Sequence, residues 1–326
     1  MNIMTENDII KFWNKEELNK PLVSIVCHAY NQEHFIEDTI NGFLSQKTTF
    51  PFEVIVHDDA STDSTKSVIE TYVAKYPNIL KPIYQSENQF SKRNISASFT
   101  YPASKGKYIA HCEGDDYWTD EYKLQKQVDF LEQNEDYVVT WTNLVFRDGD
   151  KLIETGFDSM FPEVYTIDFN NLFEVYNTYT LTVLFRKDAI EYKRILELNY
   201  AKDNTIYALL IKNGKGAFLN FVSAVYRWHD GGVFSLKSNF YKRYSSFLNV
   251  KEIFDEIEGA KTKNIEFIYK DLLRQSAEEG IKLFLKKDKI EKEVKKAIMQ
   301  YLMDASFKEK KKFLNLFFKL RRNLEA

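Results

Sequence analysis

Three short apolar runs, each followed at once by polar residues, constrain the fold of this chain most strongly. Their sequences are LVSIVC, FEVIVH and KYIAHC, at residues 22–27, 52–57 and 107–112. Runs of this length that are rich in Val and Ile and do not alternate with polar residues are typical of buried parallel strands. Between the first two runs, apolar residues recur with helical spacing over 34–46. The pattern predicts strands that alternate with helices.

Further elements continue this alternation. A weaker strand is predicted at 79–84, where Pro82 favours an edge or a strand end because proline cannot donate to a neighbouring strand. Thr62–Asp63 is predicted to cap a helix that runs to about Lys75. The other predicted elements are a helix at 121–133, a strand at 137–146, a strand at 181–187, a helix at 203–213 and paired strands at 216–229. We therefore expect an open, mostly parallel α/β sheet flanked by helices.

Polar clusters follow three of the predicted strands. They are His28–Asn31 after the first strand, Asp58–Asp63 after the second and Glu113–Trp118 after the fourth. In open α/β sheets, ligands bind beyond the carboxyl ends of the strands. The sequence therefore predicts one binding site at that rim of the sheet.

The distribution of charge separates the end of the chain from the rest. Residues 282–326 hold 14 Lys and Arg against 6 Asp and Glu, whereas the remainder holds 31 against 42. A basic region beside an acidic body favours an anionic surface, either a membrane or a nucleic acid. Within it, Phe313, Phe317, Leu320 and Leu324 fall at helical spacing among Lys and Arg. Such a stripe fits a helix that lies on an anionic membrane, or one that packs on the protein or on a second subunit.

The cysteines and the apolar content bear on the compartment. Cys27 and Cys112 lie in predicted buried strands, so buried reduced thiols are favoured over a disulfide. The first residues lack a basic segment followed by an apolar one, and no run approaches the roughly 18 apolar residues of a spanning helix. We therefore expect a cytoplasmic protein without a signal peptide, either free or peripheral on the inner face of the cell membrane.

Asp115–Asp116 is the first candidate for chemistry. Adjacent carboxylates at a strand end repel each other, so a cation is their natural partner. Their oxygen atoms suit Mg²⁺ or Mn²⁺, which typically bind one or two carboxylates together with substrate phosphates. The alternative is a solvated turn.

The two earlier clusters hold further candidates. Asp59 could accept the N–H of a nucleobase, and the helix that follows favours anions at its start; the alternative is a strand end with a helix cap. Tyr30 could stack on a base or a sugar, or it could be a core aromatic residue.

Three segments together resemble a known family. PLVSIVCHAYNQEHFIEDTINGFLSQ, FEVIVHDDASTDST and GKYIAHCEGDDYWTDEYKLQKQVDFL occur in this order within about 21–145, and they resemble family 2 glycosyltransferases with the GT-A fold. The resemblance is thinner over 178–232 and absent beyond. It implies inverting transfer of a sugar from a nucleotide-diphosphate donor, most often a UDP-sugar, to an acceptor hydroxyl. The implied cofactor is Mn²⁺ or Mg²⁺, and the implied acceptor is a surface glycan or a glycan-lipid.

The resemblance also implies roles for individual residues. They are nucleotide binding for His28, Tyr30, Asp59 and Asp115, metal binding for Asp116 and His229, a phosphate contact for Arg227 and proton removal from the acceptor for Asp203. Residues 1–240 would then form the catalytic domain, with a nucleotide-binding half at about 20–145 and an acceptor half at about 146–240. Residues 241–326 would form a helical, basic C-terminal region.

Two other classes of protein remain as alternatives. A nucleotidyltransferase would normally carry a glycine-rich, basic phosphate loop after the first strand, but this chain has HAYNQEH there, without Gly or Lys. A non-catalytic protein that binds a nucleotide sugar or a nucleic acid gains weak support from the basic end, while Asp203 and His229 count against it. We expect no nucleic-acid partner, and a homodimer is an alternative use of the C-terminal stripe.

Overall fold

The computed structural model describes residues 4–13, 20–229, 231, 237–286 and 291–325. The chain forms two compact units, Met1–His229 and Asp230–Ala326, whereas the sequence predicted a boundary at residue 240. All strands of the described residues lie in the first unit and belong to one sheet.

The strands β1 to β10 follow one another along the chain. Their bounds are Val23–Ala29, Phe52–Asp58, Leu80–Tyr84, Tyr108–His111, Tyr117–Trp118, Tyr137–Asp148, Lys151–Glu154, Val164–Ile167, Leu184–Arg186 and Lys215–Trp228. Hydrogen bonds connect them in the order β3-β2-β1-β4-β9-β6-β10-β5, while β7 pairs with β6 and β8 pairs with β10.

The helices α1 to α12 are likewise numbered in chain order. Their bounds are Glu6–Ile10, Ile36–Leu44, Thr65–Lys75, Tyr101–Ala103, Lys123–Gln133, Phe157–Met160, Tyr192–Ile195, Asp203–Lys212, Asn239–Glu256, Lys263–Lys286, Lys292–Asp304 and Phe307–Glu325. A π-helical turn at Ser96–Thr100 precedes α4, and short 3₁₀ turns lie at Thr180–Thr182 and Lys187–Ala189.

The first half of the sheet is parallel, as predicted. β1 pairs in parallel with both β2 and β4, and β2 pairs in parallel with β3. The apolar residues of β1 and β2 are buried because helices cover both faces of a parallel sheet. β3 lies at the edge of the sheet, which confirms the prediction from Pro82. Cys27 and Cys112 are both buried, and neither forms a disulfide bond.

The second half of the sheet is mixed. β9 runs antiparallel to both β4 and β6, and β10 runs parallel to β6 but antiparallel to β5 and β8. The prediction of paired strands at 216–229 is wrong. The segment forms the single long strand β10, which shifts register against β6 near Leu219 and Val222. The strand continues through these irregularities without a turn.

Two helix starts decide where side chains point. Helix α3 begins at Thr65 with Ser64 at the N-cap position, and the predicted capping is confirmed for Asp63, whose carboxylate accepts the Thr65 N–H at 2.9 Å. Helix α8 begins at Asp203, where the sequence placed it. The start of a helix leaves unpaired N–H groups and a partial positive charge, so a carboxylate is stabilised there.

The second unit is helical, as predicted. Helix α10 packs against α9, α11 and α12. The predicted C-terminal stripe is largely used in this packing: Phe313 is buried, with its ring 5.0 Å from that of Tyr301, and the ring of Phe317 lies 6.4 Å from that of Phe284. The side chain of Leu324 lies outside the described part of the chain. The stripe is therefore a packing face of the C-terminal unit.

A membrane crossing demands both length and sustained hydropathy. None of the helices in the described ranges combines the two.

Candidate active site

The polar loops of the first unit share one rim of the sheet. In the register of the parallel strands, Ala29 lies opposite Asp58 and Val26 lies opposite His111. The chain leaves β1, β2 and β4 at their carboxyl ends and enters the three polar clusters there. The clusters that the sequence placed after separate strands are thus neighbours in the structure.

The loops after β1 and β2 are bonded to each other. The side-chain oxygen of Asn31 accepts the N–H of Thr62 at 2.8 Å, and the N–H of Asn31 donates to the Ser61 hydroxyl at 2.9 Å. Asn31 and Ala60 have positive φ angles of 54° and 63°. Positive φ costs energy for any residue with a side chain, and such strain clusters at functional sites. The strain at Ala60 falls directly after Asp59.

The carboxylate of Asp59 organises the segment that follows β3. It is almost fully buried and accepts two backbone N–H groups, from Gln89 at 2.8 Å and from Phe90 at 3.0 Å, one on each oxygen. Each oxygen has a second lone pair, so the carboxylate can still accept the N–H of a base. Base binding by Asp59 stays a prediction, and Tyr30 lies exposed in the neighbouring loop.

Three histidines meet beneath this rim. The ring of His28 makes edge-to-face contacts with His57 at 5.9 Å and with His111 at 5.7 Å. Burial, and the neighbouring His28, lower the pKa of His57 to about 4. Burial also lowers the pKa of His111 well below its usual range. Both buried rings are therefore neutral near pH 7. From the sequence, only His28 of the three was predicted to be a site residue, because His57 and His111 lie within predicted strands.

Asp116 is held from two directions. Its Oδ1 atom accepts the backbone N–H of Arg227 at 2.8 Å, while its backbone carbonyl accepts the Thr39 hydroxyl at 2.6 Å. Burial, and then the negative charge of Asp115, raise the pKa of Asp116 well above its usual range. A buried carboxylate beside a second carboxylate is costly to ionise unless a cation is present.

Asp115 pairs with a histidine from the far end of the first unit. Its Oδ2 atom lies 3.1 Å from Nε2 of His229, whose ring also contacts Phe35 at 4.7 Å. Asp115, Asp116 and His229 therefore come together at the end of β10, although two of them are separated from the third by more than a hundred residues.

This group of residues fits a divalent cation that is shared with a ligand. The described residues contain no set of three or more His, Cys, Asp and Glu side chains arranged to hold a metal by themselves. Mg²⁺ and Mn²⁺ typically take only one or two carboxylates and complete their shell with phosphate oxygens and water. A cation would favour the ionised form of Asp116, which burial and the charge of Asp115 disfavour. Asp115 and Asp116, with His229 beside them, supply suitable donors for such a site.

The guanidinium of Arg227 is hydrogen-bonded to other residues of the protein in this structure. Its guanidinium donates to the backbone carbonyl of Asp115 at 2.9 Å and to the carboxylate of Asp38. It also lies over the ring of Tyr117, at 4.3 Å from the centroid, and over that of Phe35 at 5.3 Å. The contacts hold the Asp115–Asp116 turn in place. A phosphate contact by Arg227 stays a prediction.

Asp203 lies at the start of α8 with a dedicated hydrogen bond. The Thr180 hydroxyl donates to its Oδ2 atom at 2.9 Å and also lies 2.9 Å from the hydroxyl of Tyr207. Asp203 is exposed to solvent, although many protein atoms lie around its carboxylate. This burial, and then the charge of Glu113, raise its pKa. A carboxylate with a raised pKa and open access is suited to accept a proton.

Tyr226 connects the two carboxylate groups. Burial raises its pKa, and the next causes include the charges of Asp116, Asp115 and Asp203. The next residue, Arg227, donates its N–H to Asp116, and the ring of Tyr226 lies 6.1 Å from that of Tyr179, which precedes the Thr180 donor to Asp203. Sequence reasoning missed Tyr226, Thr180 and Glu113. Of the three, Glu113 carried a signal, because it begins the polar cluster that follows the fourth predicted strand.

Comparison with known proteins identifies the family. Residues 24–192 match the family model described as Glycosyl transferase family 2, and the chain belongs to this family. This membership displaces the nucleotidyltransferase alternative. An Escherichia coli relative, the UDP-Glc:alpha-D-GlcNAc-diphosphoundecaprenol beta-1,3-glucosyltransferase WfaP, is 31% identical over 231 residues, which cover 70% of this chain and 85% of WfaP.

Other matches are shorter or more distant. An uncharacterised Mycobacterium tuberculosis protein is 42% identical over 142 residues, and the match spans 43% of this chain but only 39% of that protein. Among solved structures, Staphylococcus aureus TarS 1-349 in complex with UDP-GlcNAc superposes with a TM-score of 0.65 at 17% identity, covering 93% of this chain and 91% of TarS 1-349. The Pyrobaculum calidifontis mannosyltransferase PcManGT, in complex with GDP-Man and Mn²⁺, superposes with a TM-score of 0.55 at 13% identity, covering 93% and 87%. These likenesses confirm the GT-A fold.

Proposed function

We propose that this chain transfers a sugar from a nucleoside diphosphate to a hydroxyl group of a surface-glycan or glycan-lipid acceptor, with inversion at the anomeric carbon. The observation that carries the proposal is the position of Tyr226: the next residue, Arg227, holds Asp116, and the ring of Tyr226 lies 6.1 Å from that of Tyr179, which precedes the Thr180 donor to Asp203. These contacts connect a carboxylate pair suited to a cation with a separate carboxylate suited to accept a proton. A displacement with inversion needs these two functions on different residues.

UDP is the first donor to test. WfaP is named for transfer from UDP-Glc to a diphosphoundecaprenol-linked sugar, and TarS was solved with UDP-GlcNAc. In this chain, Asp59, Tyr30 and His28 line the loops where the base and ribose would lie. The carboxylate of Asp59 would accept an N–H of the base with its remaining lone pairs.

The diphosphate would lie at Asp115 and Asp116. These two residues, with His229 beside Asp115, would hold Mn²⁺ or Mg²⁺. When bound, the cation would neutralise negative charge that develops on the leaving diphosphate. The protein's own contribution is to fix the two carboxylates, through the N–H of Arg227 on Asp116 and through His229 on Asp115.

Asp203 would act on the acceptor. The acceptor hydroxyl attacks the anomeric carbon as the bond from that carbon to the diphosphate oxygen breaks, and its proton passes to the Asp203 carboxylate. Thr180 donates to the Oδ2 atom of Asp203, which orients the carboxylate and leaves Oδ1 to take the proton. The raised pKa of Asp203 makes it a better proton acceptor than an ordinary aspartate.

A donor screen tests the proposal. Thermal stability is measured with a panel of nucleotide sugars in the presence of Mn²⁺, because a ligand that binds only the folded state raises the melting temperature. The best donor is then incubated with acceptors that carry a diphosphate-lipid or its soluble analogue. Release of the nucleoside diphosphate and the configuration of the product are followed by chromatography and NMR.

We expect one class of donor to stabilise the protein and the product to have the opposite anomeric configuration. Retention of configuration would exclude direct displacement. Stabilisation by nucleotide sugars without hydrolysis or transfer on any acceptor would favour the non-catalytic binding protein.

A further inference from the structure

Helix α11 presents apolar and basic side chains on the same exposed face. Met299 and Met303 are four residues apart and both are more than half exposed. At about 100° per residue, Lys292 and Lys296 fall on the same face as these two methionines, and both lysines are exposed. The opposite face, with Val294, Ala297 and Tyr301, is buried.

Helix α12 repeats this arrangement. Phe307 is 86% exposed, Leu314 is 50% exposed and Phe318 is 51% exposed. Their positions in the helix place all three within an arc of about 40°. Lys311 and Arg322 are exposed and fall within about 40° of this arc on one side. We call these three apolar residues of α12, together with Lys311 and Arg322, the apolar-basic face.

This face differs from the stripe that the sequence indicated. The residues of that stripe which the structure describes, Phe313 and Phe317 among them, point into the C-terminal unit and contact Tyr301 and Phe284. Folding therefore accounts for that stripe, but it leaves Phe307, Leu314 and Phe318 exposed. Large exposed apolar side chains grouped on one helix face are unusual and mark an interaction surface.

We propose that the apolar-basic face binds the surface of an anionic lipid bilayer. Lys and Arg around a row of Phe, Leu and Met are the pattern of a helix that lies at a membrane surface, where the apolar side chains enter the headgroup boundary and the cations meet anionic lipids. The excess of Lys and Arg over residues 282–326 extends the attraction beyond the two helices.

The charges and apolar side chains of this face favour a lipid surface over a second copy of the chain and over a nucleic acid. A second copy of the chain would bring like charges together across a two-fold interface, which costs energy. A nucleic acid would be attracted by the cations, and its bases can stack on Phe, but it does not favour burial of the aliphatic Leu314 side chain. Of these three occupants, the lipid surface satisfies both kinds of side chain.

Membrane binding adds a partner to the proposed function and rests on that function in one way. An enzyme attached to a membrane benefits from the attachment if its acceptor is lipid-linked. Binding itself does not depend on catalysis. Membrane binding and sugar transfer can therefore fail separately.

The test is flotation of the full chain with vesicles of phosphatidylcholine alone or mixed with phosphatidylglycerol. The variant Phe307→Ser/Leu314→Ser/Phe318→Ser removes the apolar row of α12, and Lys311→Gln/Arg322→Gln removes two of the charges. The matched control is Phe267→Ser, which removes a side chain that is also largely exposed in the same unit, on α10. Turnover on a soluble acceptor and circular dichroism are measured for every variant.

We expect the wild-type chain to float only with phosphatidylglycerol and to dissociate in high salt. The triple Ser variant should lose at least about tenfold in partition coefficient, and each charge removed should cost about fivefold. Phe267→Ser should float like the wild type, and soluble turnover should be unchanged in all folded variants. Equal flotation of wild type and triple variant would overturn the proposal. So would a wild-type dimer that the triple variant converts to monomer without any binding to vesicles.

Discussion

The backbone N–H of Arg227 donates a hydrogen bond of 2.8 Å to the carboxylate of Asp116, across 111 positions of the sequence. The bond joins the end of β10 to the turn after β4. It fixes the Oδ1 atom of this buried carboxylate. The charge of Asp116 can therefore be removed while its hydrogen bond to the backbone is kept.

Asp116→Asn should abolish transfer without unfolding the protein. The amide oxygen of Asn can still accept the Arg227 N–H, but it carries no charge to hold a cation. Loss of several kcal/mol of charge stabilisation corresponds to about 10²-fold or more in rate. Initial rates with Mn²⁺ and with EDTA measure the effect, and Asp150→Asn, at an exposed aspartate, is the control. Equal wild-type rates in Mn²⁺ and in EDTA would show that no metal takes part.

Asp203→Asn should lower kcat by about 10²–10⁴-fold while donor affinity stays the same. The amide keeps the shape and the bond from Thr180, but it cannot accept a proton. Asp188→Asn is the matched control, because Asp188 is also an exposed aspartate and also lies between residues 146 and 240. An unchanged kcat for Asp203→Asn would assign the proton acceptor to another carboxylate.

The pH profile gives a second measurement on Asp203. Because burial and Glu113 raise its pKa, the protonated, inactive form persists to a higher pH than for an ordinary aspartate. The rate should therefore rise with pH through that raised pKa and level off above it. The residual rate of Asp203→Asn should lack this rise.

Asp59→Ala should weaken donor binding by more than the loss of its two hydrogen bonds to the loop backbone explains. The change removes two hydrogen bonds from backbone N–H groups, worth about 2 kcal/mol of folding stability. Asp63→Ala is matched to it, since Asp63 also accepts two backbone N–H groups, from Glu33 at 3.1 Å and Thr65 at 2.9 Å. If Asp59 binds the base, calorimetry with UDP should show about tenfold weaker binding for Asp59→Ala than for Asp63→Ala. Equal affinities at equal stability would limit Asp59 to shaping the loop.

The buried histidines should make the fold sensitive to acid. The pKa of His57 is lowered to about 4, whereas an unfolded histidine has a pKa near 6.5. The unfolded state therefore binds more protons between these values, and stability falls as the pH drops from about 6.5 to 4. His57 alone contributes up to about 1.4 kcal/mol per pH unit. His57→Phe should reduce that slope in urea titrations at pH 7 and 5, and an unchanged slope would contradict the assignment.

Local patterns in the sequence were sufficient for much of the fold. Apolar runs of β-branched residues identified β1, β2 and β4, and helical spacing identified α2, α5 and α8, because burial of one face or both imposes a period on the chain. The order of strands and polar loops also placed the three clusters at one rim, since parallel strands share the direction in which they end. Candidates such as Asp115, Asp116 and Asp203 followed from these local patterns and from the family resemblance.

Tertiary structure alone decided the contacts that act across the chain. The sequence could not pair His229 with Asp115, assign Thr180 to Asp203 or commit Arg227 to Asp38, because each contact depends on how distant elements pack. Nor could it tell which face of α12 is buried: Phe313 and Phe318 are equally apolar, and both lie among lysines and arginines. Packing against α10 and α11 buries Phe313 and leaves Phe318 exposed, because a helix can turn only one face toward its neighbours.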